Sequence, residues 1–305
     1  YNQINAGAGI RNIARDLAVK DAAITNRVNR MARNATLINQ MIVDRLAFNE
    51  DLVLDGLQNF CVSQYFPDNT TILVGKDSQF VYECDYATIR RGGRMTQDQK
   101  RQRAQLEKRF RARPRGIQES FTRLLRPVRI KRPDSSIPLI LYTDEKKDYQ
   151  RALWRRKELK AQMFSGHWRH HMTNSKESRN QKNPLFAVNY IDREIRKDMA
   201  SHSRETLQFP RNTSNGMLRM NLYLYDHNVR KPYRINDPDL RALRHAEVAG
   251  LPRQELSQVT RGFFERRVFK PLQLRLSESA KMTLERGWVT PLKRRPEKLQ
   301  VHLAA

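Results

Sequence analysis

The sequence predicts an α/β fold. Strand-like segments follow one another between residues 50 and 93, and a fourth apolar run, Pro138 to Tyr142, stands alone between polar stretches. Residues 10–31 and 185–199 instead carry apolar side chains at helical spacing. A chain of 305 residues accommodates one large α/β domain with a small satellite, or two domains. Its 39% hydrophobic content is enough for a real core.

Charge narrows the function. Lys and Arg number 58 against 32 Asp and Glu, a net +26, which points to a polyanionic partner and most often to nucleic acid. No apolar run approaches the roughly 18 to 20 residues of a membrane span, and no secretory leader is visible, so a soluble, cytoplasmic protein with no membrane partner is expected. Cys61 and Cys84 are expected to be reduced core thiols, and two cysteines cannot build a zinc site alone. The chain begins at Tyr1 rather than Met, and the expectation is that an N-terminal piece is missing.

From the N-terminus, Ile10, Ile13, Ala14 and Leu17 lie on one short helix, and Ala23, Ile24, Val28 and Met31 on a second that Asp21 can cap. With a tight turn at 18–20 and with Arg27, Arg30 and Arg33 on the second helix, residues 1–45 read as a DNA-binding helix-turn-helix. An ordinary helical hairpin with a solvated basic face is the alternative. Next, "EDLVLDGLQNFCVSQYF" and "TTILVGKDSQFVYECDYATIRRGG" predict three strands with turns at Pro67 to Asn69 and Gly75 to Ser78. Asp55 falls inside the first, where an ionised carboxylate needs a partner such as a metal.

Residues 90–132 hold 16 Lys and Arg against Asp98, Glu107 and Glu119, half of the chain's excess charge. The part around Arg101, Arg103, Lys108 and Arg109 is helix-prone without an apolar stripe, so an exposed helical insertion touching phosphates is expected. Asp144 follows the Pro138–Tyr142 strand at its carboxyl end, where open α/β sheets collect ligands. Position alone favours Asp144 as a cap of the helix that follows. His167, His170 and His171 lack the defined third ligand that a zinc site needs. A helix after Pro184 has Leu185, Val188, Ile191, Ile195 and Met199 as its apolar stripe, with Asn189, Asp192 and Arg196 on another face. A basic tail fills 231–305. No P-loop, GxGxxG, GxSxG or HExxH motif occurs.

Two aspartates from neighbouring strands and a third ligand from a later helix can hold two divalent metals about 3.5 to 4 Å apart for attack on a phosphodiester. Hard oxygen ligands suit Mg²⁺ or Mn²⁺. The motifs "LVLDG", "LYTDEKKDY" and "VNYIDREIRKDMASHSRETLQF", with the upstream helix-turn-helix, make residues 9–230 resemble a bacterial DDE-type transposase of the insertion-sequence-one group. In the family's register Val188, Arg196, Ala200, Arg204, Thr206 and Leu207 match. The resemblance implies a ribonuclease H-like catalytic core over 46–230 with a basic insertion at about 90–132. It also implies Asp55 and Asp144 as the first two metal ligands.

The family's glutamate falls on Asn189, with Glu205 and then Asp192 as the other candidates for third ligand. Arg196 and Arg204 would hold phosphates, since an Arg cannot act as a base. The family's N-terminal zinc finger has no counterpart here. The implied protein cleaves and transfers strands of double-stranded DNA, at element ends and target, in the bacterial nucleoid, and leaves room for a homo-oligomer on DNA. The rival expectation is a catalytically inactive, transposon-derived DNA-binding protein.

Overall fold

The computed structural model describes residues 1–131, 138–174, 176–203 and 208–294. A short α1 (Asn2–Asn5) precedes α2 (Ile10–Asp16) and the long α3 (Asp21–Arg45). Ala18, at φ 51°, reverses the chain between α2 and α3. Lys20 rather than Asp21 occupies the N-cap of α3, and Asp21 sits in the first turn, where its charge favours the positive end of the helix dipole. The second helix of the expected pair therefore exists but runs on to Arg45, and Asn34 to Gln40 are all buried. Two of the polar residues there bond to partners distant in sequence. Asn34 Nδ2 donates to the Phe263 and Arg266 carbonyls at 3.0 and 2.9 Å, and Gln40 Nε2 donates to Glu83 at 2.9 Å.

Strands β1 (Leu52–Cys61), β2 (Ser63–Gly75) and β3 (Val81–Thr88) form an antiparallel meander. The first turn is not at Pro67 to Asn69 as expected but at Val62, whose φ is 70°. Pro67 lies within β2 opposite Phe60, beside a register shift, one of the places where a strand tolerates a residue with no N–H to donate. Strands β4 (Leu139–Asp144) and β5 (Trp168–Thr173) add in parallel to β1, giving one mixed sheet of order β3-β2-β1-β4-β5. The protein is thus of mixed α/β class.

Between β3 and β4 stand α4 (Gln97–Arg109) and α5 (Gly116–Lys131). Helix α4 is closed by a Thr96–Gln99 capping box and buries no residue. Helix α5 differs from the expected insertion: Ile117, Phe121, Leu124 and Leu125 are buried in the core. Its Arg123 forms a two-pronged ion pair, at 2.8 and 2.6 Å, with the fully buried Asp85 of β3. Helices α6 (Lys147–Arg155) and α7 (Lys157–Phe164) link β4 to β5.

The apolar stripe of α8 (Phe186–Asp198), from Leu185 to Met199, is buried with Val53, Leu57, Ile72 and Val74 on one face of the sheet. On the other face Leu52, Leu54, Leu139 and Leu141 join α3, α5 and α6. Helix α9 (Thr213–Tyr225) packs along α3 and contributes to both clusters. The basic C-terminal stretch, with α10 (His245–Val248), α11 (Arg253–Thr260) and α12 (Glu278–Leu284), is part of the fold. Leu251, Leu256, Phe263, Leu284 and Trp288 are buried. Cys61 and Cys84 are free and buried.

Candidate active site

The parallel pairing of β1 with β4 sets the first two aspartates side by side. Leu52, Val53 and Leu54 pair with Leu141, Tyr142 and Thr143, and the next step along each strand is Asp55 and Asp144. Strand alternation turns both toward the face covered by α8. Burial pushes the Asp55 carboxyl up to about 6, and the charge of Asp144 pushes the same way, against the Gly56 N–H, Lys146 and Arg179. The Gly56 N–H donates to Asp55 Oδ1 at 2.6 Å.

Asp144 combines the two roles its position allows in part. Lys146, not Asp144, is the N-cap of α6, but Asp144 Oδ1 accepts the Lys146 N–H at 3.0 Å in a tight turn that leads the chain into that helix.

Helix α8 supplies the third side. Its half-buried polar face forms one wall of an open cleft of about 500 Å³, lined by Asp55, Gln58, Arg179, Asn189, Asp192 and Arg196 among others. Burial pushes Asp192 up to about 8, with the charge of Asp55 adding and those of Arg196 and Arg179 opposing. Its Oδ1 is buried and accepts no hydrogen bond. A residue with no sequence signal, Tyr149 on α6, feels the charge of all three aspartates. Its buried hydroxyl has no hydrogen-bond partner and is held well above the usual range by burial and then by the charges of Asp55, Asp144, Asp192 and Asp148. Carboxylates that repel one another at a sheet end, one with an orphaned oxygen, are what a divalent cation relieves. Among the described residues, no group of three or more His, Cys, Asp or Glu side chains able to hold a metal ion is present.

Gly56 has a steric reason to follow Asp55. A Cβ there would lie 2.3 to 2.8 Å from the side chain of the fully buried Asn69, whose Oδ1 accepts from Lys146 Nζ at 3.3 Å. Gly56→Ala is expected to cost about 1–3 kcal/mol by overpacking, read as a lowered midpoint in urea or heat.

The other predicted residues divide. Arg27 is exposed on α3, whereas Arg30 and Arg33 are half-buried. Arg101, Lys108 and Arg109 are exposed on α4. Arg103 instead donates to the Arg91 carbonyl at 2.9 Å and lies 3.7 Å from Glu107, so it braces the base of that helix. Arg196 lines the cleft while donating to the carbonyls of His202 and Gln58, each at 3.2 Å. Arg204 and Glu205 lie outside the described residues. His170 shares a 2.8 Å hydrogen bond with Thr143, and His171 meets the Tyr142 ring edge-on.

A second cavity, of about 430 Å³ beside β3, has Glu119 as its one carboxylate and so lacks the paired acids of the cleft. No described helix is long and apolar enough to cross a membrane. No family model, curated protein or solved structure matches the chain.

Proposed function

We propose that this chain is a DDE-type transposase with a ribonuclease H-like core, acting on double-stranded DNA by metal-dependent strand cleavage and transfer. The observation that carries the reading is the adjacency of Asp55 and Asp144 on parallel central strands, with Asp192 of α8 coupled to Asp55 across one cleft. Three antiparallel strands followed by two parallel ones, with the first acid in the middle strand of the five, support the ribonuclease H-like assignment.

The donor set fits Mg²⁺ or Mn²⁺: hard oxygens, mutual repulsion between Asp55 and Asp144, and an Asp192 oxygen with no donor. Asp55 and Asp144 would hold the metal, with Asp192 as the third ligand in preference to its neighbour Asn189, because Asp192 brings a carboxylate charge and a buried oxygen that no donor meets. Bound there, the metal supplies an activated oxygen nucleophile and neutralises charge on the leaving oxygen. Arg179 and Arg193 at the cleft offer guanidinium forks to the phosphates that flank the scissile bond. The charge of Lys146 favours the ionised form of Asp55. The exposed cations of α4 and the net +26 supply affinity for the DNA backbone. Action in the bacterial cytoplasm, at the nucleoid and as an oligomer on DNA, belongs to the same proposal.

The rival reading is a transposon-derived DNA-binding protein without catalysis. Incubating the chain with supercoiled plasmid and with labelled duplex, in Mn²⁺, Mg²⁺ or EDTA, separates the two. Nicking in metal that EDTA abolishes supports the transposase. Salt-sensitive binding with no cutting in either metal sinks it in favour of the binding protein.

A further inference from the structure

A second cationic site lies away from the aspartates. A groove of about 590 Å³ between α3 and the segment after α11 is lined by Met41, Arg45, Arg261, Arg266, Arg267 and Phe269, among others. Arg261, Arg266 and Arg267 are exposed and form no ion pair with any described residue. Arg45 is the one lining cation with an acidic partner, Glu255 at 3.8 Å. The Phe269 ring is 70% exposed amid this charge.

The groove is built rather than floppy. Asn34 of α3 donates to the Phe263 and Arg266 carbonyls, and its Oδ1 accepts the Val268 N–H at 3.1 Å, so the backbone carrying Arg266 and Arg267 is pinned from three points. Arg267 also begins a second cluster with Arg33, Arg30 and Arg286: burial and then these three like charges lower the affinity of the Arg33 guanidinium for its proton. The Nε atoms of Arg33 and Arg286 are buried with no acceptor. Guanidinium groups held together without a counter-charge are costly until an anion supplies one.

We propose that this groove binds a single-stranded segment of DNA, its phosphates held by Arg261, Arg266 and Arg267, with one unpaired base stacked on Phe269. Planar guanidinium forks suit phosphate oxygens, and an exposed ring inside a basic groove is the pairing that single-strand binders use. A base inside a duplex offers its face only to its neighbours, so an exposed phenyl selects an unpaired one. The site stands apart from the aspartate cleft and needs no metal.

The test is fluorescence anisotropy without metal, using a labelled oligothymidylate of about 20 nucleotides and a duplex of equal length. The chains compared are the parent, Arg261→Gln/Arg266→Gln/Arg267→Gln, Phe269→Ala, and an α4 control, Arg101→Gln/Lys108→Gln/Arg109→Gln. The altered groove residues are exposed, and circular dichroism melting checks that each chain folds. The groove triple variant is expected to lose about tenfold or more in affinity for the single strand, with a log–log salt slope shallower by about 2. Phe269→Ala is expected to lose about fivefold or more for the single strand while its duplex affinity stays at the parent value. A triple variant that binds the single strand as the parent does overturns the proposal. So does a Phe269→Ala chain that loses no more affinity for the single strand than for the duplex. Because binding is read without metal or cutting, either failure leaves the cleft proposal standing.

Discussion

Asp55→Asn and Asp144→Asn chains are each expected to lose metal-dependent nicking by about 10²–10³-fold or more while binding duplex DNA as tightly as the parent. The substitution keeps the shape of the side chain and removes its charge, so the strands should keep their pairing while the site loses its grip on a cation. Asp144 Oδ1 accepts the Lys146 N–H, and an asparagine carbonyl can accept the same bond, which keeps the entry to α6 intact. The third position separates two candidates one helical turn apart. Asp192→Asn is expected to fail as the first two do, and Asn189→Ala to lose less than about tenfold, because of the two cleft residues only Asp192 brings a negative charge to a cation. Equal nicking by the Asp192 variant and the parent would return the role to Asn189 or to Glu205. A gel assay of plasmid nicking, with anisotropy for binding, reads all four variants.

The same Asp192→Asn change should stabilise the metal-free protein. Burial holds the Asp192 carboxyl at about 8 in the fold, far above its unfolded value, so the folded chain binds a proton that the unfolded chain has released. That contribution is fully present below about pH 4 and is lost as pH rises toward 8. Above pH 8 the parent therefore keeps a charge that its fold disfavours, and the asparagine variant does not.

In EDTA the variant is expected to melt about 5 °C or more above the parent at pH 8.5, with the gap closing toward pH 4. Comparing two chains cancels the titrating groups outside the Asp55–Asp192 pair. Asp68 and Glu83, each pushed by burial to about 7, lose stability in the same direction in both chains. His202 and His245, pushed down to about 4 by burial, act oppositely, losing stability as pH falls below their unfolded value. A gain in stability with a loss of activity at one residue is the signature of a functional group held against its preference. A melting gap independent of pH would contradict this account of Asp192.

The parts of the fold that were legible are those whose signal is local. The run ending at Asp144 was short, apolar and bounded by polar residues, and it is β4. The Leu185–Met199 stripe repeated at helical spacing and is buried along α8. Asn189 and Asp192, three positions apart, fall on the same helical face, so periodicity could not separate them; the unpartnered buried oxygen of Asp192 does.

Other features depend on partners distant in sequence. The second half of α3 reads as polar because Asn34, Thr36, Asn39 and Gln40 interrupt its apolar pattern, yet these residues are buried. Asn34 and Gln40 bond to residues 263–277 and to Glu83, which no local window contains. The same long-range bonds explain why the C-terminal stretch looked like a tail. Pro67 looked like a turn because proline usually is one, but the register shift beside Phe60 let β2 run through it. Tyr149 gave no sign of its place, since the aspartates whose charge reaches its hydroxyl include Asp55 and Asp192, far from it in sequence.

The central claim is that Asp55 and Asp144 hold a divalent cation together. Titration of Mn²⁺ into the DNA-free chain, followed by the loss of the free-ion paramagnetic resonance signal, measures it directly. The account predicts saturable binding by the parent at millimolar or lower Mn²⁺ that is lost in both Asp55→Asn and Asp144→Asn. Binding of equal strength and stoichiometry in the parent and both variants would contradict it.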